Sequence, residues 1–349
     1  MISIKFSKPA ECIGGLLLFL GLLFPGEPVR ALDPAGIQKA IEHSLCQDYD
    51  TALAFFDSLE LKFPDRPEPR FYKASVIQSK MMDYETLRWE DEFLRSIESA
   101  VDKADQCLQN DPGDLDAVFA RGAAKSYKSF YLGRQAKYLQ SVLLARQGIG
   151  DLQDILRADS SYLPAYLGLG SYLYWRSRIT QSVNWLPFFS DQRQTGINYL
   201  EKVADSQSIG RWSAVSNLAW IYLEEENWEQ ALYYSQKGLH AFPDSRFFLW
   251  PCGETLLHMK RYADALQVYE TLLNSVLAAP INNHYNEIVL YFKMAQCCRG
   301  MENPQQAVEY LKQNLNTKPD AEVRDRCLEK QNKARQLLWE INASAGTFE

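Results

Sequence analysis

The side chains best suited to chemistry are scattered along this chain. Histidines stand at positions 43, 240, 258 and 284, without the clustered spacing that a zinc site requires. His43 and Cys46 lie three residues apart, but no second such pair accompanies them, so they read as ordinary structural residues. The vicinal Cys297-Cys298 also lacks spaced partners. Gly168-Leu169-Gly170 sits inside a helical pattern and not in a phosphate-cradling loop. Gly170-Ser171 lacks the strand-turn-helix setting of a nucleophile elbow. The run Glu224-Glu225-Glu226 precedes a turn at Asn227 and reads as solvated surface. These residues predict no enzyme, no cofactor and no metal.

Binding is the chemistry that remains. The chain has 17 Phe, 19 Tyr and 8 Trp, the ring types that dominate binding energy on a desolvated surface. A formal charge of −7 and a pI near 5.3 argue against a general nucleic-acid binder. Hydrophobic content of 46% and charged content of 23% are globular values.

The elements that must position those rings follow from seven pairs of small residues. These are Ala40/Ala52, Ala74/Ala100, Gly122/Gly148, Gly170/Gly196, Ala219/Ala231, Gly253/Ala265 and Ala295/Ala307. The spacing is 26 residues in the three consecutive pairs from Ala74 to Gly196 and 12 in the other four. Two antiparallel helices that cross closely need a small side chain on each, so the pairs predict seven helical hairpins. Pro64, Pro112, Pro243 and Pro319 each close a second helix, because proline has no N–H with which to continue it.

The best-matching stretch is Val215 to Tyr222, then Trp228-Glu229-Gln230-Ala231-Leu232, ending at Ala241-Phe242-Pro243-Asp244. With Leu218, Ala219, Tyr222, Ala231 and Pro243 at signature positions, it resembles the tetratricopeptide repeat, a helix-turn-helix of 34 residues. Tyr262 to Leu266 and Pro304 to Val308 repeat its entry into the second helix. The resemblance implies an all-α fold, a right-handed superhelical solenoid of helix-turn-helix repeats over about residues 32–341. Within it, regular repeats would occupy 212–319, a capping helix 321–341 and a tail 342–349.

In that family the first helices line the concave face. The resemblance therefore implies a partner-binding surface from Phe71, Phe119, Tyr127, Trp175, Trp220, Trp250 and Phe292, with Arg176 and Arg178 near its middle. An aromatic groove with a basic pair suits an extended peptide carrying an acidic group. The expected partner is a protein or peptide, with a small ligand as a third reading.

The three wider pairs exceed the regular spacing by fourteen residues each. Shared equally, this lengthens every helix of the block 67–208 by about seven residues, or about 10 Å. Apolar residues fall in the added turns: Met81, Met82, Tyr84 and Trp89, then Phe130, Tyr131, Leu132 and Tyr138, then Trp185, Leu186, Phe188 and Phe189. The favoured reading is that they bury one another. The alternative is an exposed tip at 185–189 that enters a membrane or a partner's pocket.

Residues 1–31 read as a cleavable signal peptide. Lys5 and Lys8 precede twelve apolar residues, Ile13 to Phe24, and Val29-Arg30-Ala31 offers small residues at the cleavage positions. An exported protein is expected, periplasmic or extracellular. Six cysteines follow the leader, and Cys107, Cys252 and Cys298 fall on core positions of their hairpins, where a thiol acts as a small apolar group.

Overall fold

The computed structural model describes residues 32–180 and 190–344. Residues 1–31, expected to form a leader, and the expected tip residues Trp185, Leu186, Phe188 and Phe189 lie outside the described residues. The described chain is all-helical, as the small-residue spacing predicts. Its elements are α1 (Pro34–Leu45), α2 (Tyr49–Lys62), α3 (Glu68–Asp83), α4 (Glu90–Asn110), α5 (Leu115–Arg134), α6 (Tyr138–Ala158), α7 (Leu163–Ile179) and α8 (Arg193–Ala204). There follow α9 (Arg211–Glu224), α10 (Trp228–Ala241), α11 (Arg246–His258), α12 (Tyr262–Leu277), α13 (Tyr285–Gly300) and α14 (Pro304–Asn316). A 3-10 turn at Ala321–Val323 then leads into α15 (Arg324–Ser344). No described helix is long and apolar enough to cross a membrane.

The chain forms two compact units. Among the described residues, one holds 32–80 together with 89–180 and 190–224, and the other holds Met81–Arg88 together with 225–344. Within each, helix-turn-helix pairs stack in chain order as a solenoid.

Close crossing explains the small pairs. A Cβ on Gly148 would stand 2.6 Å from the Gly122 carbonyl oxygen, and one on Gly122 would stand 2.9 Å from that of Gly148. Gly170 and Gly196 repeat the arrangement at 2.9 and 2.6 Å. Gly253 instead admits the ring of Tyr269, whose Cε1 would lie 2.6 Å from an added Cβ. The alanines of the other pairs are all buried.

The turns share a second device. Gln47, Glu85, Ala136, Lys260 and Glu302 each have φ between 53° and 62°, the left-handed region. At each, the next residue's N–H donates back to a carbonyl five positions earlier, as in Asp48 to His43 (2.9 Å), Thr86 to Met81 (3.0 Å) and Lys137 to Leu132 (2.9 Å). Arg261 to Leu256 and Asn303 to Cys298 complete the set, both at 2.9 Å. This is the Schellman closure of a helix. Asp48 and Asn303 then cap the following helices by accepting from Thr51 and Gln306.

Helix lengths differ along the array. α4, α5 and α6 run 21, 20 and 21 residues, whereas α2, α9 and α10 run 14. In the α5–α6 hairpin the turn residue Ala136 stands fourteen positions after Gly122 and twelve before Gly148. In α13–α14 the matching intervals around Glu302 are seven and five.

The second unit is organised around a buried ion pair. Arg246 Nε donates to Asp83 Oδ1 at 2.7 Å, and the two side chains are only 5% and 2% exposed. Arg246 also donates to the Ser275 carbonyl and hydroxyl, at 3.2 and 3.0 Å. Asn286 donates to the Asp83 carbonyl at 2.8 Å, and Asn283 to those of Tyr84 and Glu85 at 3.0 and 3.1 Å. Thr86 and Arg326 add bonds to Glu322 and Glu85. A buried carboxylate is tolerated only with this degree of compensation.

Candidate functional site: an arginine-lined cavity between α6, α7 and α8

The Gly170/Gly196 crossing draws α7 onto α8 and leaves one stripe of α7 facing a recess. Leu169, Tyr172, Leu173 and Arg176 follow the three- and four-residue spacing of a single helix face. α6 contributes Arg146, Ile149 and Gln153, again on one face. Gln192, Thr195 and Tyr199 close the third side. The recess is partly open to solvent and has a volume of about 320 Å³, within the range of ligand pockets. Ile149, Leu169 and Leu173 are buried and form the apolar floor.

The polar groups of this cavity carry one sign of charge. Arg176 Nη2 donates to Gln192 Oε1 at 2.6 Å, and its guanidinium lies 5.6 Å from the Tyr172 ring centroid. Arg146 is exposed and has no carboxylate partner among the described residues. Tyr199 meets Tyr166 edge-on at 4.9 Å, and Lys202 Nζ lies 3.7 Å from the Tyr166 centroid. Among the described residues, no Asp or Glu lines the cavity. Two guanidiniums above an apolar floor favour a carboxylate or phosphate attached to an apolar group.

The expected groove residues separate into two sets. Phe71, Phe119, Tyr127 and Trp175 are buried, which corrects their reading as an open lining. Phe71 meets Phe119 at 5.7 Å and Tyr127 at 5.5 Å, both edge-to-face, and Trp175 meets Tyr174 at 5.1 Å. The cause is contact between first helices. α5 packs on α7, and α7 on α9, so α5 and α7 are covered around most of their circumference. Trp220, Trp250 and Phe292 are half-buried, the last two against the cores of their hairpins. Arg176 lies in the cavity, but Arg178 donates to Glu224 instead. Arg146, Tyr172 and Tyr199 escape the sequence reading, although the Leu169–Tyr172–Leu173–Arg176 periodicity marks that face.

A second polar cluster lies in the same unit. Arg66 donates to Glu68 and to Asp114, and the Tyr162 hydroxyl donates to Asp116 at 2.7 Å. The carboxylate oxygens of Glu68, Asp114 and Asp116 lie within 4.8 Å of one another, a spacing that could hold a cation. Arg66 already supplies a positive charge to two of them. Burial raises the Glu68 carboxyl, with Arg66 opposing, and it raises Asp116, with the Tyr162 hydrogen bond opposing. Burial alone would lower Arg66, but its carboxylate partners outweigh that and hold it above its ordinary value.

The six described cysteines are all free thiols. Burial pushes Cys252, Cys298 and Cys327 up to about 11 and Cys297 up to about 12. A thiol in that state is a poor nucleophile at neutral pH. His43 bonds Asp48 at 2.9 Å, and His258 stacks on Trp228 at 4.7 Å.

Residues 250–319 match a family model described as a tetratricopeptide repeat, and the stretch spans nearly all of α11 to α14. Among solved structures, the chain is similar to a tetratricopeptide repeat protein from Parabacteroides merdae. The identity is 13% and the TM-score 0.38, over 85% of this chain and 98% of that one. It is also similar to the tetratricopeptide repeat domain of P58(IPK), at 11% identity and a TM-score of 0.28, over 88% and 98% of the two chains. No curated protein sequence matches the chain.

Proposed function

We propose that this repeat protein is a non-enzymatic scaffold that binds a protein or peptide partner through the α6–α7–α8 cavity. The observation that carries the reading is that Arg146 and Arg176 both line a recess with an apolar floor and no carboxylate among its described lining residues. The favoured ligand is a peptide segment that presents an aliphatic or aromatic side chain next to an acidic group or a free C-terminus. Partly exposed Trp220 is a further contact residue on the same unit. Export to the cell envelope belongs to the same reading, supported by the charged, apolar and small-residue segments of the leader.

Fluorescence anisotropy of the purified protein tests the binding claim. The probes are labelled peptides of matched apolar sequence ending in a free carboxylate, an amide or a lysine amide. The carboxylate-ended peptide is expected to bind best. Arg176→Ala is expected to weaken it by about tenfold or more, since a hydrogen bond to a charged group is worth about 1.5–3 kcal/mol. Equal binding of all three peptides, or unchanged affinity in an Arg146→Ala/Arg176→Ala double variant, would overturn the assignment.

A further inference from the structure

The start of α6 is an exposed apolar surface that its own hairpin leaves uncovered. Tyr138, Leu139, Val142 and Leu143 are 63%, 75%, 66% and 56% exposed. None of residues 138–147 is buried, and the buried part of α6 begins only at Gly148. The four-residue steps from Tyr138 to Val142 and from Leu139 to Leu143 keep these side chains together over two turns. The partner half of α5 is not bare in this way. Tyr131 and Leu132 are buried there, and Tyr131 packs on Phe93 at 5.5 Å.

Charge is distributed just as unevenly. From Ala117 to Gly150 the chain has six basic residues and no acidic one, in a protein of net charge −7. The inner three are neutralised: Arg121 by Asp105 and Asp151, Lys125 by Asp151 and Lys128 by Glu98. Of the outer three, Lys137 and Arg146 are exposed beside the apolar patch. A tyrosine and aliphatic side chains flanked by Lys137 and Arg146 match the water–lipid boundary of an anionic bilayer, where rings and basic groups sit at the headgroups.

We infer that the end of the α5–α6 hairpin docks the protein onto an anionic membrane surface. Tyr138, Leu139, Val142 and Leu143 enter the acyl boundary, while Lys137 and Arg146 face the lipid phosphates. Each of the four side chains of the patch is more than half exposed. A fluid interface can enclose such a surface from every side, whereas a partner protein would need a matching groove. This surface is separate from the peptide cavity, with Arg146 as the one residue placed at both.

Co-sedimentation of the purified protein with phosphatidylcholine–phosphatidylglycerol vesicles, and with pure phosphatidylcholine vesicles, tests the inference. Binding is expected only to the anionic vesicles and to weaken as salt is added. Leu139→Ser/Leu143→Ser is expected to lower the partition coefficient at least tenfold, and Lys137→Glu about fivefold or more. Both changes lie at exposed positions, and circular dichroism verifies that the variants fold. Arg176→Ala is expected to leave vesicle binding unchanged, so a failed peptide site and a failed membrane site are distinguishable. No partition into anionic vesicles, or partition indifferent to Leu139→Ser/Leu143→Ser, would overturn the inference. So would loss of binding only on Phe188→Ser/Phe189→Ser. A wild-type dimer in sedimentation velocity that the serine variant dissociates would assign the patch to a second copy of the chain.

Discussion

Two glycines on one helix should respond oppositely to the same substitution. Gly148 faces the Gly122 backbone, and Gly150, two residues on, has nothing within 4 Å of an added Cβ. A methyl group at 148 would stand 2.6 Å from the Gly122 carbonyl oxygen, 2.7 Å from Ser126 Oγ and 3.1 Å from the Ser126 nitrogen. Ordinary contact begins near 3.4 Å, so the helices must part by ~0.8 Å, or the Ser126 hydroxyl must leave the Gly122 carbonyl that it now bonds at 2.8 Å. Overpacking of this kind costs about 1–3 kcal/mol. Alanine returns about 1 kcal/mol of helix propensity at either site. Gly148→Ala should therefore destabilise by about 1 kcal/mol, and Gly150→Ala should stabilise by up to about 1 kcal/mol. For a unit of 150–250 residues, each kcal/mol moves the midpoint by about 2–4 °C, so the two variants should melt roughly 4–8 °C apart. Thermal melts followed by circular dichroism supply the measurement. If Gly148→Ala melts at or above the unmodified protein, the close-crossing account of the paired small residues is wrong.

Three further outcomes follow from the same geometry. Arg246→Met leaves the Asp83 carboxylate buried and should cost about 3–5 kcal/mol in urea unfolding. An Asp83→Leu/Arg246→Met double variant should recover much of that loss, and equal losses would show that the charge is not the cause. Ala136→Gly relieves a left-handed Cβ worth about 1–2 kcal/mol, partly offset by backbone entropy, so the urea midpoint should rise; a fall would count against turn strain. Asp116 and Glu68 have raised carboxyl values, so the folded state holds protons that the unfolded state releases. Their contribution is greatest below the ordinary carboxylate range and is lost as pH rises through the raised values. Asp116→Asn should flatten that decline in urea midpoints measured between mildly acidic and neutral pH, and an unchanged slope would refute its titration there.

The hairpins were legible in the sequence because close crossing restricts side-chain size at fixed positions, whatever the surroundings. The turns were not, since their left-handed residues are Gln, Glu, Ala and Lys and not the glycine that usually marks the conformation. Ring positions such as Phe71 and Phe119 could be assigned to first helices, but not to core or surface. Contact between successive first helices decides that, and single-helix periodicity does not contain it. Tyr138 shows the same ambiguity in reverse, reading as a packing residue yet lying open. The cavity was half visible, through Arg176. Arg146 comes from the preceding hairpin and joins it only when the helices stack.

The arrangement around Asp83 bears on how the chain is made. Most hairpins close through neighbours in sequence, so each can form soon after its second helix leaves the ribosome. Asp83 is different, because its guanidinium partner is synthesised 163 residues later, and Arg326, which bonds Glu85, comes 241 residues later. During that interval a nascent chain carries a carboxylate destined for burial with no counter-ion yet made. The Met81–Arg88 segment must stay hydrated, or be held by a chaperone, until the C-terminal helices arrive. Completing translation is thus itself a folding step for this protein, and a prematurely terminated product would keep that segment uncovered for quality control to find.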